Sequence, residues 1–597
     1  MQLDKIYIMG FRNFKEATVN LNKHCLIIGA NDVGKTNLIY AMRILLDRGF
    51  SDYDYELQES DFYAYEDTDS IVIRLYFSDI TEDCVVSKMG GLLSDDGNLV
   101  LQYEAKRTGN QVDYEFKGGK SDSNEDLNDC NGPFYKKWLN LKYISSRRDF
   151  WGYINKTKNL LLTQAMEERG ERELASDERL RQEIERHLNE VDEKIPELTY
   201  VKNATKQINT ELDKLSIHNR EQHIVFDTAT TDVERMIRSV NLVSKHNDKK
   251  LVIGGEGRAN QIYLSLWATQ NQQSEVPTEV SIICIEEPEA YLHPHQQREL
   301  AAYLGDTLNG QVILTSHSPY VVSEFSPNSI IRLYKDKDNE TFVASEGCSD
   351  VIEEGIEGLG YRMSVIPAEA FFSDFVILVE GPSEVLFYKA LAQQLDIDLD
   401  RMNISVMSVD GVDFVTYIKI LDAMDIDWTM RTDNDIMKVP QKEEYRYAGI
   451  ERGIDCWEAS NEYCFKDDEE ERIYNEKKSL LHFEDKDNIP TESLEAAEWM
   501  IEFLSDKCIE IADVDLETDL YDSDLRGDLR DYYYEGDPID GASVIKKMKN
   551  HKAINMYGFL KAKKDKLVKL KEDKLAEPLT TAVYNIEEMY GTYADTE

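Results

Sequence analysis

Apolar and polar positions alternate through residues 3–29 (LDKIYIMGF, then ATVNLNKHCLIIG), the period-two pattern of half-buried strands. Apolar residues then recur at helical spacing over 35–47, and strand-like runs return at 71–77 and 99–104. Between about 163 and 250 the texture changes. Glycine becomes scarce, charges crowd in, and Leu180, Ile184, Leu188, Val191, Ile195 and Leu198 step by three and four. That spacing lays one apolar stripe along a helix, which suits equally a surface helix packed on its own domain and an inserted dimerisation arm. Short apolar runs reappear at 280–285, 311–315, 376–379 and 404–409, whereas 440–500 is polar, carries a charge run at 466–472 and reads as a solvated helical excursion.

Composition narrows this picture. A chain of 597 residues that is 42% hydrophobic can build several buried cores, which excludes wholesale disorder. Its 115 Asp and Glu against 68 Lys and Arg give a net charge of −47, which disfavours indiscriminate coating of nucleic acid or an anionic membrane. The stretch 546–574 runs the other way, with eleven lysines against three acids. The eight cysteines are scattered and form no C-x-x-C pair, so neither a disulfide framework nor a zinc ribbon is expected. The N-terminal segment MQLDKIYIMGFRNF does not read as a signal peptide, and no 18 apolar residues run together. A cytoplasmic location without membrane contact is expected.

Gly29-Ala-Asn-Asp-Val-Gly34-Lys35-Thr36 follows an apolar strand and precedes a helix, the setting in which G-x-x-x-x-G-K-[ST] cradles phosphates. Backbone N–H groups would close around the β-phosphate, Lys35 would reach the β and γ oxygens, and Thr36 would ligate Mg²⁺. Asn31, Gly34 and Asn37 complete the candidate nucleotide contacts. A second strand ends in Glu286-Glu287-Pro288-Glu289, which offers one metal-facing acid (Glu286) and one acid to polarise water (Glu287). His317, in Thr315-Ser316-His317-Ser318-Pro319, is placed to sense a γ-phosphate. Gly254-Gly255-Glu256-Gly257 opens another helix and is a further anion-binding start.

Carboxylates also gather after later strands: Glu380-Gly-Pro-Ser-Glu384, Asp410-Gly411, then Asp433-Asn-Asp435, with a further alternation at Asp513-Val-Asp515-Leu-Glu517-Thr-Asp519. Acids at several strand ends can converge on one or two hard divalent cations. Asp433 and Asp435, two apart on a strand-like segment, would project to one side. In so acidic a chain, chance pairs are also expected.

Phe11-Arg12-Asn13-Phe14, the loop 29–36, the glycine signature 254–257, EEPEAYLHP at 286–294 and TSHSP at 315–319 resemble an ABC-type ATPase head. The later acids resemble a Toprim domain, and the combination is similar to the overcoming-lysogenisation-defect (OLD) family of ATPase–Toprim nucleases. The resemblance implies an α/β chain: a P-loop head (1–160 and 251–348) interrupted by a helical dimerisation insertion (161–250). A Rossmann-like Toprim domain (370–597) with a helical addition at about 440–505 would follow. It implies ATP with Mg²⁺ at the head, and two Mg²⁺ or Mn²⁺ ions at the Toprim site. Glu380 and Glu384 would hold one ion with Glu517, Asp433 and Asp435 the other with Asp515, and Lys552 would face the scissile phosphate. The implied partners are DNA, a second copy of the chain joined through heads and insertion, a tetramer of such dimers, and a helicase-like protein encoded nearby. The implied role is anti-phage defence. Gly254 stands where the family signature has serine, and Glu286 where an aspartate is usual, so ATP hydrolysis is expected to be slow. A repair-type ATPase lacking nuclease activity, and another Toprim chemistry such as RNA processing or strand passage, are the alternatives.

Overall fold

The computed structural model describes residues 1–590 except 64, 66, 110, 216–223, 226–232, 234–235, 238–239, 241, 247–248, 253, 272–277, 309, 350–368, 410, 412 and 535–539. Asp410 therefore lies outside the described residues. The chain divides into two compact units, one of residues 1–146 and 274–597, the other of 147–273.

The first unit contains three main sheets. A six-stranded antiparallel sheet runs in the order Phe14–Asn20, Gln2–Phe11, Ser70–Ser78, Leu99–Thr108, Gln111–Gly119, Asn128–Asp129. Its alternating sequence buries one face, with Leu3, Ile6 and Ile8 fully enclosed. The second sheet orders Thr341–Val343, Ile330–Lys335, His24–Ile28, Val312–Thr315, Val280–Glu286 and Leu139–Ile144. All its neighbours pair in parallel except the edge strand Thr341–Val343. Strands covered on both faces must be apolar throughout, and HCLII and VILT meet that requirement. The helix Lys35–Leu46 covers this sheet, burying Leu38, Ile39, Met42 and Leu45, each contributing about 1.5–3 kcal/mol.

The third sheet is four parallel strands in the order Ile404–Ser408, Phe375–Val379, Asp427–Thr432, Ile509–Ile511. The helix Pro382–Gln394 packs on one side with the helix Lys552–Lys563, and the terminal helix Glu577–Tyr590 lies against the two central strands. Between the third and fourth strands in sequence come the helices Ala448–Ala459, Asp468–Ser479 and Thr491–Ser505. A small antiparallel sheet of Ile436–Lys438, Tyr445–Tyr447 and His482–Phe483 accompanies them, which the polar texture of the region does not announce.

The second unit contains the helices Phe150–Glu167, Glu171–Lys194 and Thr199–Leu215, and Glu171–Lys194 carries Leu180, Ile184, Leu188 and Val191 of the predicted stripe, which ends past its C-terminus at Ile195 and Leu198. No residue of Glu171–Lys194 is buried, and Leu180 and Val191 are 54% and 48% exposed. Helix does not continue to 250: Val243–His246 and Lys249–Val252 form an antiparallel hairpin. Among the described residues no helix is long and apolar enough to cross a membrane.

Candidate active sites

The phosphate loop leaves the C-terminal end of His24–Ile28, and Gly34 (φ +111) turns it into the helix Lys35–Leu46. Lys35 Nζ donates to the carbonyls of Gly29 (2.9 Å) and Ala30 (2.6 Å). Burial outweighs the nearby Glu287, Asp32 and Glu286 charges and lowers this ammonium to a pKa of about 8. Thr36 is exposed at the helix start and Asn31 is exposed on the loop. Asn37 is held from two sides, accepting from Arg12 Nη1 at 2.8 Å and donating to Asn13 Oδ1 at 2.5 Å. Arg12 also pairs with Asp61 at 2.9 Å.

The neighbouring strands bring in the acids. Glu286 is buried and accepts from the Tyr143 hydroxyl at 2.7 Å. Glu287 sits at positive φ (43°), its N–H on the Thr315 carbonyl at 3.0 Å, and its carboxylate lies 3.8 Å from His317 Nε2. Burial and then the Lys35 charge keep His317 below the ordinary imidazole value, so it is neutral near pH 7. Glu289, to which the sequence reading gave no role, accepts from Ser316 Oγ (2.6 Å) and His317 N (3.1 Å), tying the second strand end to the first. Gly255 (φ +85) and Glu256 are exposed at the start of the helix Glu256–Asn271 in the other unit.

The second constellation lies at the C-terminal edge of the third sheet. Glu380 follows Phe375–Val379 and Asp433 follows Asp427–Thr432. Glu380 Oε1 accepts from Asp433 N (2.9 Å), Thr432 Oγ1 (2.5 Å) and Arg452 Nη1 (2.5 Å). Lys552, at the first turn of Lys552–Lys563, lies 3.1 Å from Glu517 and 3.6 Å from Asp433. Glu384 is buried on the helix Pro382–Gln394, bonded to Ser383 Oγ at 2.9 Å. Burial, and then Glu380, push Asp433 up to about 7 despite the nearby Lys552 and Arg431. Burial likewise raises Glu384. Burial alone would lower Lys552, but Glu517 and Asp433 carry it above its ordinary value.

Two expectations need correction. The strand ends at Thr432, so Asp433 and Asp435 do not share a face: Asp433 is buried, whereas Asp435 has a side chain 47% exposed and 3.9 Å from Arg452. The alternation around Asp515 is not a strand either. Asp515 caps the helix Leu516–Asp522, accepting from Thr518 N and Oγ1, both at 2.9 Å, and pairs with Lys549. That turn carries Glu517 inward, where it is 1% exposed.

Arg452 and Arg431 were missed. Arg431 is the one cation inside an otherwise uncharged buried strand segment, a legible signal, and it bonds Asp519 at 2.6 Å. Arg452 meets Glu380 across 72 positions of sequence, which leaves no local signature.

Among the described residues no three acid, His or Cys side chains stand at metal-ligand spacing. The donor set nonetheless fits a hard divalent cation. It is all carboxylate oxygen, Glu517 Oε1 is buried without a hydrogen-bond partner, and burial followed by the Glu380 charge raises Asp433 to about 7, so a cation would relieve both.

Residues 26–323 match an AAA-domain family model named for the AbiEii toxin of type IV toxin–antitoxin systems. Residues 371–435 match the Toprim domain of overcoming-lysogenization-defect-like proteins. Endonuclease GajA of Bacillus cereus is 25% identical over 563 residues, covering 90% of this chain and 92% of the relative. Over most of its length the chain is therefore similar to ATPase–Toprim nucleases of the OLD family. The OLD nuclease of Thermus scotoductus is 22% identical, over 74% of this chain and 83% of its own. The Old nuclease of Escherichia phage P2 is 23% identical, over 69% and 73%. The chain is thus a P-loop ATPase followed by a Toprim domain, with one strand-end constellation in each.

Proposed function

We propose that this protein is a divalent-metal-dependent DNA endonuclease of the OLD family, acting in anti-phage defence and regulated by ATP at its head. The observation that carries this reading is the meeting of Glu380, Glu384, Asp433, Glu517 and Lys552, drawn from separate elements, at one edge of a parallel sheet. Glu380, Glu384 and Glu517 would hold one Mg²⁺ or Mn²⁺, and Asp433 the other, with Asp435 and Asp515 at its margin. Such a pair of cations supplies positive charge to the attacking and departing oxygens of a phosphodiester. Lys552 keeps its proton far above neutral pH and presents a fixed charge to the phosphate. Arg452 orients Glu380.

At the head, Asn31, Gly34, Lys35, Thr36 and Asn37 would bind ATP with Mg²⁺. Glu286 would face the metal, Glu287 would polarise water and His317 would sense the γ-phosphate, while Gly255 and Glu256 would cap a partner subunit's nucleotide. The exposed stripe on Glu171–Lys194 supports a homodimer through heads and helical insertion, and dimers of dimers would make a tetramer. The domain limits are those read from sequence, and the protein would act in the cytoplasm beside a helicase-like partner. DNA would approach the lysine-rich 546–574.

Cleavage of supercoiled plasmid in Mg²⁺ or Mn²⁺ tests the reading. Glu380→Ala and Lys552→Ala are expected to lose cleavage while retaining ATP binding, and undiminished cutting by both would refute it. The ion pairs of Arg452 and Lys552 with the acids favour a second reading, a repair-type ATPase with a purely structural cluster. That reading requires no divalent-cation site beyond the one at ATP.

A further inference from the structure

Arg332 lies in Ile330–Lys335, which pairs in parallel with His24–Ile28 so that Arg332 stands opposite Ile28. The next residue, Gly29 (φ +144), opens the phosphate loop, and any side chain there would collide with the Leu333 carbonyl. The strand carrying Arg332 therefore touches the loop's first residue. The guanidinium itself is buried and directed entirely at the Toprim sheet. Nη1 donates to the carbonyls of Met424 (3.1 Å) and Asp425 (2.9 Å). Nη2 donates to the carbonyl of Ser373 (2.9 Å) and to Asp374 Oδ1 (3.1 Å).

What it grips is specific. Ser373 and Asp374 lead directly into Phe375–Val379, whose next residue is Glu380, and Met424 and Asp425 lead into Asp427–Thr432, whose next residue is Asp433. One side chain thus holds the N-terminal ends of the two strands whose C-terminal ends carry the two central acids. Tyr334 adds a hydrogen bond to Asp425 at 3.2 Å, and Ser345 one to the Ala423 carbonyl at 2.8 Å. A cavity of about 500 Å³ bounded by Gly29, Ala30, Asn31, Arg332, Asp374 and Tyr590 leaves room for loop and grip to shift together.

We propose that Arg332 is the positioning residue through which nucleotide at the phosphate loop reaches Glu380 and Asp433 within a single chain. A strand of five or six residues spans roughly 17–20 Å and is stiffened by its neighbours, so moving its gripped end carries its acid along. Arg332 supplies a planar fork of donors, which a lysine cannot reproduce. Linkage is reciprocal, so occupancy of the acid site must bias nucleotide affinity by the same factor. The consequence for cleavage rests on the proposed nuclease function; the coupling itself does not.

The test is amide hydrogen exchange of the full chain with and without adenylyl imidodiphosphate and Mg²⁺. Nucleotide is expected to change protection in Phe375–Val379 and Asp427–Thr432 of the natural protein. Arg332→Lys should bind nucleotide yet lose most of that change, and Tyr334→Phe, a milder variant that keeps the test available if Arg332→Lys does not fold, should lose part of it. An undiminished change in the folded variants, or no change in those strands of the natural protein, overturns the proposal. Plasmid cleavage in parallel separates the two ideas. Exchange coupling without cleavage refutes the nuclease reading alone, and cleavage without exchange coupling refutes the role of Arg332 alone.

Discussion

The ATPase and Toprim sheets both end in carboxylates at the C-terminal edges of parallel strands, yet they handle charge in opposite ways. At the phosphate loop a single ammonium, Lys35, rests on two carbonyls, and burial draws it down to about 8. At the Toprim edge burial and Glu380 push Asp433 up to about 7, although Lys552 stands 3.6 Å away. The first site has a cation whose charge is under-compensated, so it is completed by an anion. The second has acids in excess of their cations, so it is completed by a cation. On the proposed reading, the same fold-level device, side chains at the ends of buried strands, makes a polyphosphate receptor in one place and a metal receptor in the other.

The contrast can be broken most forcefully at the Toprim edge. Glu380→Ala or Asp433→Ala should lower plasmid cleavage by on the order of 10³-fold or more, and Lys552→Ala by about 10²–10³-fold. At the head, Lys35→Ala should weaken ATP binding by about 10–100-fold, read from displacement of a fluorescent nucleotide, because a charged hydrogen-bond donor is lost. Nucleotide should then cease to influence cleavage.

Stability sharpens the comparison further. The folded-state pKa of Asp433 lies above the ordinary carboxyl value of 3.8, so the stability tied to its proton is present in acid and is lost as pH rises through about 7. In metal-free protein Asp433→Asn should therefore raise the denaturation midpoint at pH 8, by about 1–3 kcal/mol equivalent, with little effect at pH 4. Lys35 has the reverse sign: its folded pKa lies below 10.5, so its penalty is full below pH 8 and is relieved as pH rises towards 10.5.

The smallest expected effect is the most diagnostic of the contrast. Calorimetry in buffers of different ionisation enthalpy should show proton release when Mg²⁺ or Mn²⁺ binds near pH 6.5–7, as Asp433 ionises. Nucleotide binding near pH 8–8.5 should show proton uptake, as Lys35 regains its charge. Equal signs at the two sites would remove the distinction.

Much of this arrangement is legible in the sequence because it is local. Gly29 to Thr36 announces its own turn, and Glu286 and Glu380 each end an apolar run, where the structure places them. The failures are equally physical. Alternating acids at 513–519 imitate a strand, but the side chain of Asp515 caps a helix with Thr518, and the helical turn that follows buries Glu517. Asp435 falls past the strand end, where period-two reasoning no longer holds. Glu289 reaches Ser316 across 27 positions, Arg452 reaches Glu380 across 72 and Arg332 reaches Asp425 across 93, so only the tertiary fold brings them to these partners.

The most direct test of the central claim is a Mn²⁺ titration of nucleotide-free protein at pH 8, following free Mn²⁺ by its paramagnetic resonance signal. Saturable binding is expected, lost in the double variant Glu380→Ala/Asp433→Ala and retained in Glu286→Gln. Absence of binding in the natural protein, or binding unchanged in the double variant, would contradict the assignment of the Toprim acids as a metal centre.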